Sequence, residues 1–146
     1  MSSPVLPETA ETRASSWERT YARTAVAAAF VLSRLRPRLL RSVMNRVVAR
    51  GRRPDADEVL RWRGLVVSIS TFCAGEGCLP RSIATALLAR GHGCGVTWCT
   101  GMRDRPFVAH AWVEIDGKPI GEISDLRTFH RVLTAYPQYT DTREVS

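Results

Sequence analysis

In the first half of the chain, apolar positions recur at helical spacing. Ser15-x-x-Glu18 has the spacing of a capping box, in which hydroxyl and carboxylate satisfy the free amides of a helix start. The Ala-rich run behind it predicts a first helix over 16–34, broken by Pro37. Leu39, Leu40, Val43, Met44, Val47 and Val48 then form one helical stripe, with Arg38, Arg41, Arg46 and Arg50 off it. That pattern predicts a second helix, basic on its outside. Gly51 to Pro54 reads as a turn, and Asp55-x-x-Glu58 opens a third helix through Trp62, Leu65, Val66, Ile69 and Phe72. Leu79, Ile83, Ala86 and Leu87, stopped by Gly91, predict a buried fourth helix over 79–90.

Beyond Gly95 the period shortens. Val96 to Cys99, Phe107 to Ile115 and Lys118 to Ile123 are short, partly alternating segments between turn residues, so they read as strands. Helices followed by a small antiparallel sheet predict an α+β fold. The polar, proline-containing stretch 1–14 is expected to be disordered, and the tail after Tyr136 irregular. Residues 15–146 read as a single domain, with 15–54 a basic helical segment and 55–136 the core that carries the candidate chemistry.

Charge adds a partner class to this picture. The 146 residues hold 21 Lys and Arg against 14 Asp and Glu, and every basic residue except Lys118 is Arg. Eight arginines and no acid lie between Arg34 and Arg53, a run that fits either a solvated face or the docking of an acidic leader or protein. Nucleic acid is not expected, because the arginines are not interleaved with aromatics and no binding motif occurs. The longest apolar run, Ala25 to Leu32, is far short of the ~20 residues that span a bilayer, and the start lacks the order of a signal peptide. A cytoplasmic protein without membrane association is expected. Its four cysteines then read as reduced thiols rather than disulfides.

The candidate chemistry centres on GEGCLPRS, Gly75 to Ser82. A thiol at a helix start sits where unpaired amides and the helix dipole favour its thiolate, and those amides are placed to receive an oxyanion. Cys78 is therefore the candidate nucleophile. Two competing readings stand beside it: a small core residue, or a zinc ligand with Cys73, Cys94, Cys99 and His92. A nucleophilic cysteine needs a base, and His110 in the strand FVAHAWVEI is better placed than His92 or His130, which read as surface residues.

The third member is a carboxylate that orients the imidazole. If Ile115-Asp116-Gly117 forms a three-residue loop, His110 faces Glu122. If Asp116-Gly117 forms a two-residue turn, the register slips by one and Glu122 is expected on the other face. Glu114 shares the face of His110 but lies about 13 Å away at ~3.3 Å per residue, and Asp125 is the fallback. Trp112 reads either as a substrate contact or as core.

CLPRSIATALLARGHGCGV followed by FVAHAWVEIDGKPIGE resembles the transglutaminase-like cysteine peptidases that remove leader peptides in lasso-peptide biosynthesis, the catalytic half of the B protein. The resemblance spans roughly Leu65 to Glu122 and implies a papain-like fold, with Cys78 as nucleophile, His110 as base and Glu122 at a position where that family typically has Asp. It implies no metal or organic cofactor. It also implies three partners: the precursor peptide, a separate leader-binding protein, and an ATP-dependent cyclase acting on the product.

Overall fold

The computed structural model describes residues 15–122 and 125–139, so the expectation for 1–14 lies outside the described residues. Both capping boxes form. Ser15 accepts from the Glu18 amide and opens α1 (Ser16–Leu32), while Pro37 stands at the first position of α2 (Pro37–Val48). That position suits proline, because its missing N–H has no helical acceptor there. The apolar stripe of α2 buries Leu40, Met44 and Val48, which leaves Arg38, Arg41 and Arg46 outside.

After β1 (Arg50–Gly51), Asp55 caps α3 (Ala56–Ile69). This helix ends earlier than its apolar pattern predicts. Ser70 turns to extended backbone and its hydroxyl accepts from the Cys73 amide, starting the short α4 (Thr71–Ala74). Phe72 thereby leaves the α3 stripe and is 54 % exposed. Next comes α5 (Cys78–Gly91), which packs against α1, α2, α3 and the sheet. Its Ile83, Ala84, Leu88 and Ala89 meet Ala22, Met44, Val66 and Trp98 in the main core.

The sheet is antiparallel and ordered β4-β3-β2-β5, from β2 (Thr97–Arg103), β3 (Val108–Ile115), β4 (Lys118–Pro119) and β5 (His130–Ala135). Two sequence expectations are corrected here and one strand is added. β4 is Lys118–Pro119, shorter than the strand expected over Lys118 to Ile123. His130 to Ala135 is a strand, paired to β2 from Trp98↔Ala135 to Met102↔His130. The tail is not irregular throughout, because β6 (Gln138–Tyr139) pairs in parallel with β1.

Alternation along β3 puts Ala111 and Val113 on the core face, while His110, Trp112 and Glu114 share the other. On that second face Trp112, Cys99 and Leu126 form a small satellite core closed by Phe129. Among the described residues, no helix is long and apolar enough to cross a membrane.

Candidate active site

Cys78 is the first residue of α5, after Gly77. A side chain at Gly77 would put its Cβ 2.5 Å from the Phe72 ring and 2.7 Å from the Phe72 carbonyl, so only glycine allows the chain to pass into the helix here. The first-turn amides are not all available. That of Cys78 donates to the Glu76 carbonyl, that of Arg81 to Gly77, and Pro80 has none. Among the described residues the Leu79 amide has no acceptor outside the helix, and it is the first-turn amide able to meet an oxyanion.

The thiol lies at an open strand edge. Because β4 is two residues long, it pairs only with Glu114 and Ile115 of β3. The Ile120 amide adds one bond to the Val113 carbonyl, so Val113, Ala111 and Ala109 all turn their backbone groups to this side. Cys78 meets the Ala111 backbone there, together with the His110 ring. Burial opposes a charge on the thiol, but hydrogen bonds from His110 and Ala111, with the charges of His110 and Arg81, outweigh it and hold Cys78 below the usual thiol range. The Arg81 guanidinium is buried under the helix start, donating to the Cys73 carbonyl at 3.0 Å.

His110 is the counterpart. Its Nε2 lies 2.8 Å from Glu122 Oε2, leaving Nδ1 for Cys78. The hydrogen bonds with Cys78 and Glu122 raise its pKa to about 9, against the opposing effect of burial. The two shifts run in the direction that favours a thiolate facing an imidazolium.

The turn that carries Glu122 differs from the condition set by register. Ile115 pairs with Lys118 and Glu114 with Pro119, and Asp116 and Gly117 have φ of 51° and 79°, so this is the two-residue turn. On a continuing strand that register would aim Glu122 away from His110. The strand does not continue. Gly121, at φ 75°, turns the chain out of the ladder, and a Cβ there would lie 2.6 Å from the Arg63 side chain. Glu122 reaches His110 from a turn, so the register argument does not apply to it.

The other candidates are placed elsewhere. Asp125 caps the 3₁₀ turn Leu126–Thr128 and pairs with Arg127 at 3.0 Å rather than with His110. His92 ends α5, its Nδ1 2.8 Å from the Leu88 carbonyl and its ring tilted against Trp62; His130 is exposed at the start of β5. Cys73, Cys94 and Cys99 are fully buried free thiols. Among the described residues, no three of His, Cys, Asp and Glu are grouped to hold a metal ion. Trp112 is 2 % exposed, so it lies in the satellite core.

Arg131 and Arg81 were not singled out by sequence, and Glu114 was weighed only as an orienter of His110 and set aside for its distance. Glu114 is 1 % exposed, accepts from Trp112 Nε1 at 3.0 Å and from Arg131 at 2.9 Å, and its Oε1 has no partner among the described residues. A cavity of about 320 Å³ beside it is lined by Trp112, Glu122, Leu126, Arg127 and Arg131. A second cavity, of about 170 Å³ between Trp17, Tyr21, Trp62 and His92, lies at the far end of α5 from the thiol.

A family model described as transglutaminase-like superfamily matches residues 22–134. No curated protein and no solved structure matches the chain.

Proposed function

The chain belongs to the transglutaminase-like superfamily, and from that premise we propose that it is a cysteine peptidase that removes the leader from a ribosomally made lasso-peptide precursor. The superfamily supports cysteine peptidase or acyltransferase chemistry in general. The resemblance of CLPRS and HAWVE to the leader peptidases narrows the class. The observation that carries the reading is the alignment of Cys78, His110 and Glu122 along β3, where β4 has ended. The stretch of β3 beyond the Cys78–Ala111 contact, at exposed Ala109, has no strand beside it and suits an extended polypeptide, whose backbone can pair with it.

In the proposed reaction the Cys78 thiolate attacks the scissile carbonyl, and the Leu79 amide receives the oxyanion. The His110 imidazolium gives its proton to the leaving amine, and Glu122 holds the ring. The acyl group is then a thioester on Cys78. His110, now neutral, takes a proton from water, which attacks the thioester and frees the leader as an acid. A separate leader-binding protein presents the precursor, and an ATP-dependent cyclase consumes the product, in the cytoplasm.

The test is reconstitution of the chain with precursor and leader-binding protein, followed by mass spectrometry. A leader ending in a free acid, lost with Cys78→Ala, is the expected result. Persistence of cleavage in Cys78→Ala overturns the reading; a leader joined to an added amine identifies acyl transfer on the same groups.

A further inference from the structure

We propose that Glu114, held by Arg131, is a positioning residue that sets the plane of His110 through Trp112. The inference rests on the reading of Cys78 and His110 as the reacting pair. It begins from an oddity of packing. A carboxylate lies 1 % exposed beside Cys99, Trp112 and Leu126, where an apolar side chain would fill the space without the cost of removing a charge from water.

The carboxylate gathers donors from two strands. Its Oε2 takes the Trp112 indole N–H at 3.0 Å along β3 and the Arg131 guanidinium at 2.9 Å from β5, on the far side of β2. Two donors from different strands fix the oxygen, and the oxygen fixes the indole.

The indole in turn lies nearly parallel to the His110 ring, with centroids 6.0 Å apart and 17° between planes. Phe129 closes the assembly, edge-on to Trp112 at 6.1 Å and tilted to His110 at 6.2 Å. His110 Nε2 is already tied to Glu122, so the main freedom left to the ring is a swing about that bond. A flat, immobile neighbour removes this swing and keeps Nδ1 directed at Cys78. Loss of such alignment is costly, since misplacement by about 1 Å lowers rates by up to ~10²-fold.

Alkylation of Cys78 by iodoacetamide, followed residue by residue by mass spectrometry from acid to alkaline pH, tests the chain of contacts without a precursor. In the unaltered protein Cys78 is expected to react below the usual thiol range, with a second break near 9 where His110 loses its proton. Glu114→Gln keeps shape and an acceptor but loses the charge paired with Arg131, and is expected to slow the low-pH reaction about tenfold and displace both breaks. Trp112→Phe keeps a ring but not the N–H, and is expected to do the same to a lesser extent.

A purely structural role lowers the melting temperature and leaves the profile in place. An unchanged profile in folded Trp112→Phe, and in Glu114→Gln or, should that variant not fold, Arg131→Gln, overturns the inference. If Cys78 of the unaltered protein has no low-pH reactivity, the reacting-pair reading itself fails and the inference falls with it.

Discussion

Cys78, half-buried, and Cys99, fully buried, are the same residue in two settings whose difference in burial is only part of the contrast. Each thiol is desolvated, and each has an arginine close by, Arg81 for one and Arg131 for the other. Yet Cys78 is held below the usual thiol range, while burial, with Glu114 alongside, pushes Cys99 up to about 12. The difference lies in the nearest titratable neighbour. Cys78 meets the His110 ring and a backbone amide, both able to donate to a thiolate; Cys99 meets a carboxylate. On one face of the sheet, the sign of a neighbouring charge separates a candidate nucleophile at the start of α5 from a core thiol in β2.

The contrast is broken most directly by labelling. At neutral pH Cys78 is expected to be alkylated more than about 10³-fold faster than Cys99, because a thiol titrating five pH units higher is ionised only on the order of one part in 10⁵. Comparable labelling of the two in the folded protein, read by peptide mass spectrometry, removes the distinction.

Glu122→Gln sharpens it from the other side. His110 has a folded pKa above its ordinary value, so its ion pair is fully formed below about 6.5 and is lost as pH rises through about 9. Without the Glu122 charge, the alkaline limb of the rate profile is expected to move toward lower pH. The rate is expected to fall by about 10²-fold, with kcat reduced more than KM is raised. A smaller effect is expected for Gly121→Ala, which places a Cβ at φ 75° against Arg63. A loss of about 1–3 kcal/mol in denaturant unfolding is expected, with partial loss of activity as Glu122 shifts. Asp125→Asn, whose partner is Arg127, is expected to leave the rate unchanged. A large drop there would transfer the orienting role to Asp125.

The parts of this site legible in the sequence are those set by local rules. Both capping boxes, the break at Pro37 and the placement of Cys78 before a buried helix follow from local backbone requirements met by nearby side chains. Glu122 was identified by an argument that holds only on a continuing strand. The actual turn has the register thought to separate it from His110, and Gly121 brings the two together by ending the strand. A single left-handed glycine outweighs the alternation rule, and its effect depends on a conformation the sequence does not spell out.

Glu114 left a faint trace, a carboxylate on the same face as Trp112 and His110. Arg131 left none. HRVLTA opens with two charged or titratable residues, exposes its first three positions and lacks a hairpin turn ahead of it, so nothing local marks it as the strand that delivers the guanidinium across β2. Long-range pairing supplies this half of the network.

The brevity of β4 has a consequence for how copies of this protein meet. Exposed Ala109 offers hydrogen-bonding backbone that no strand claims among the described residues, and such an edge is equally a template for the same edge of a second molecule. With a formal charge of +7 and Arg103 and Arg105 at the end of the β2–β3 hairpin, two copies approaching edge to edge repel each other. Colloidal stability should therefore depend on ionic strength: salt that screens the arginines removes much of what keeps these edges apart.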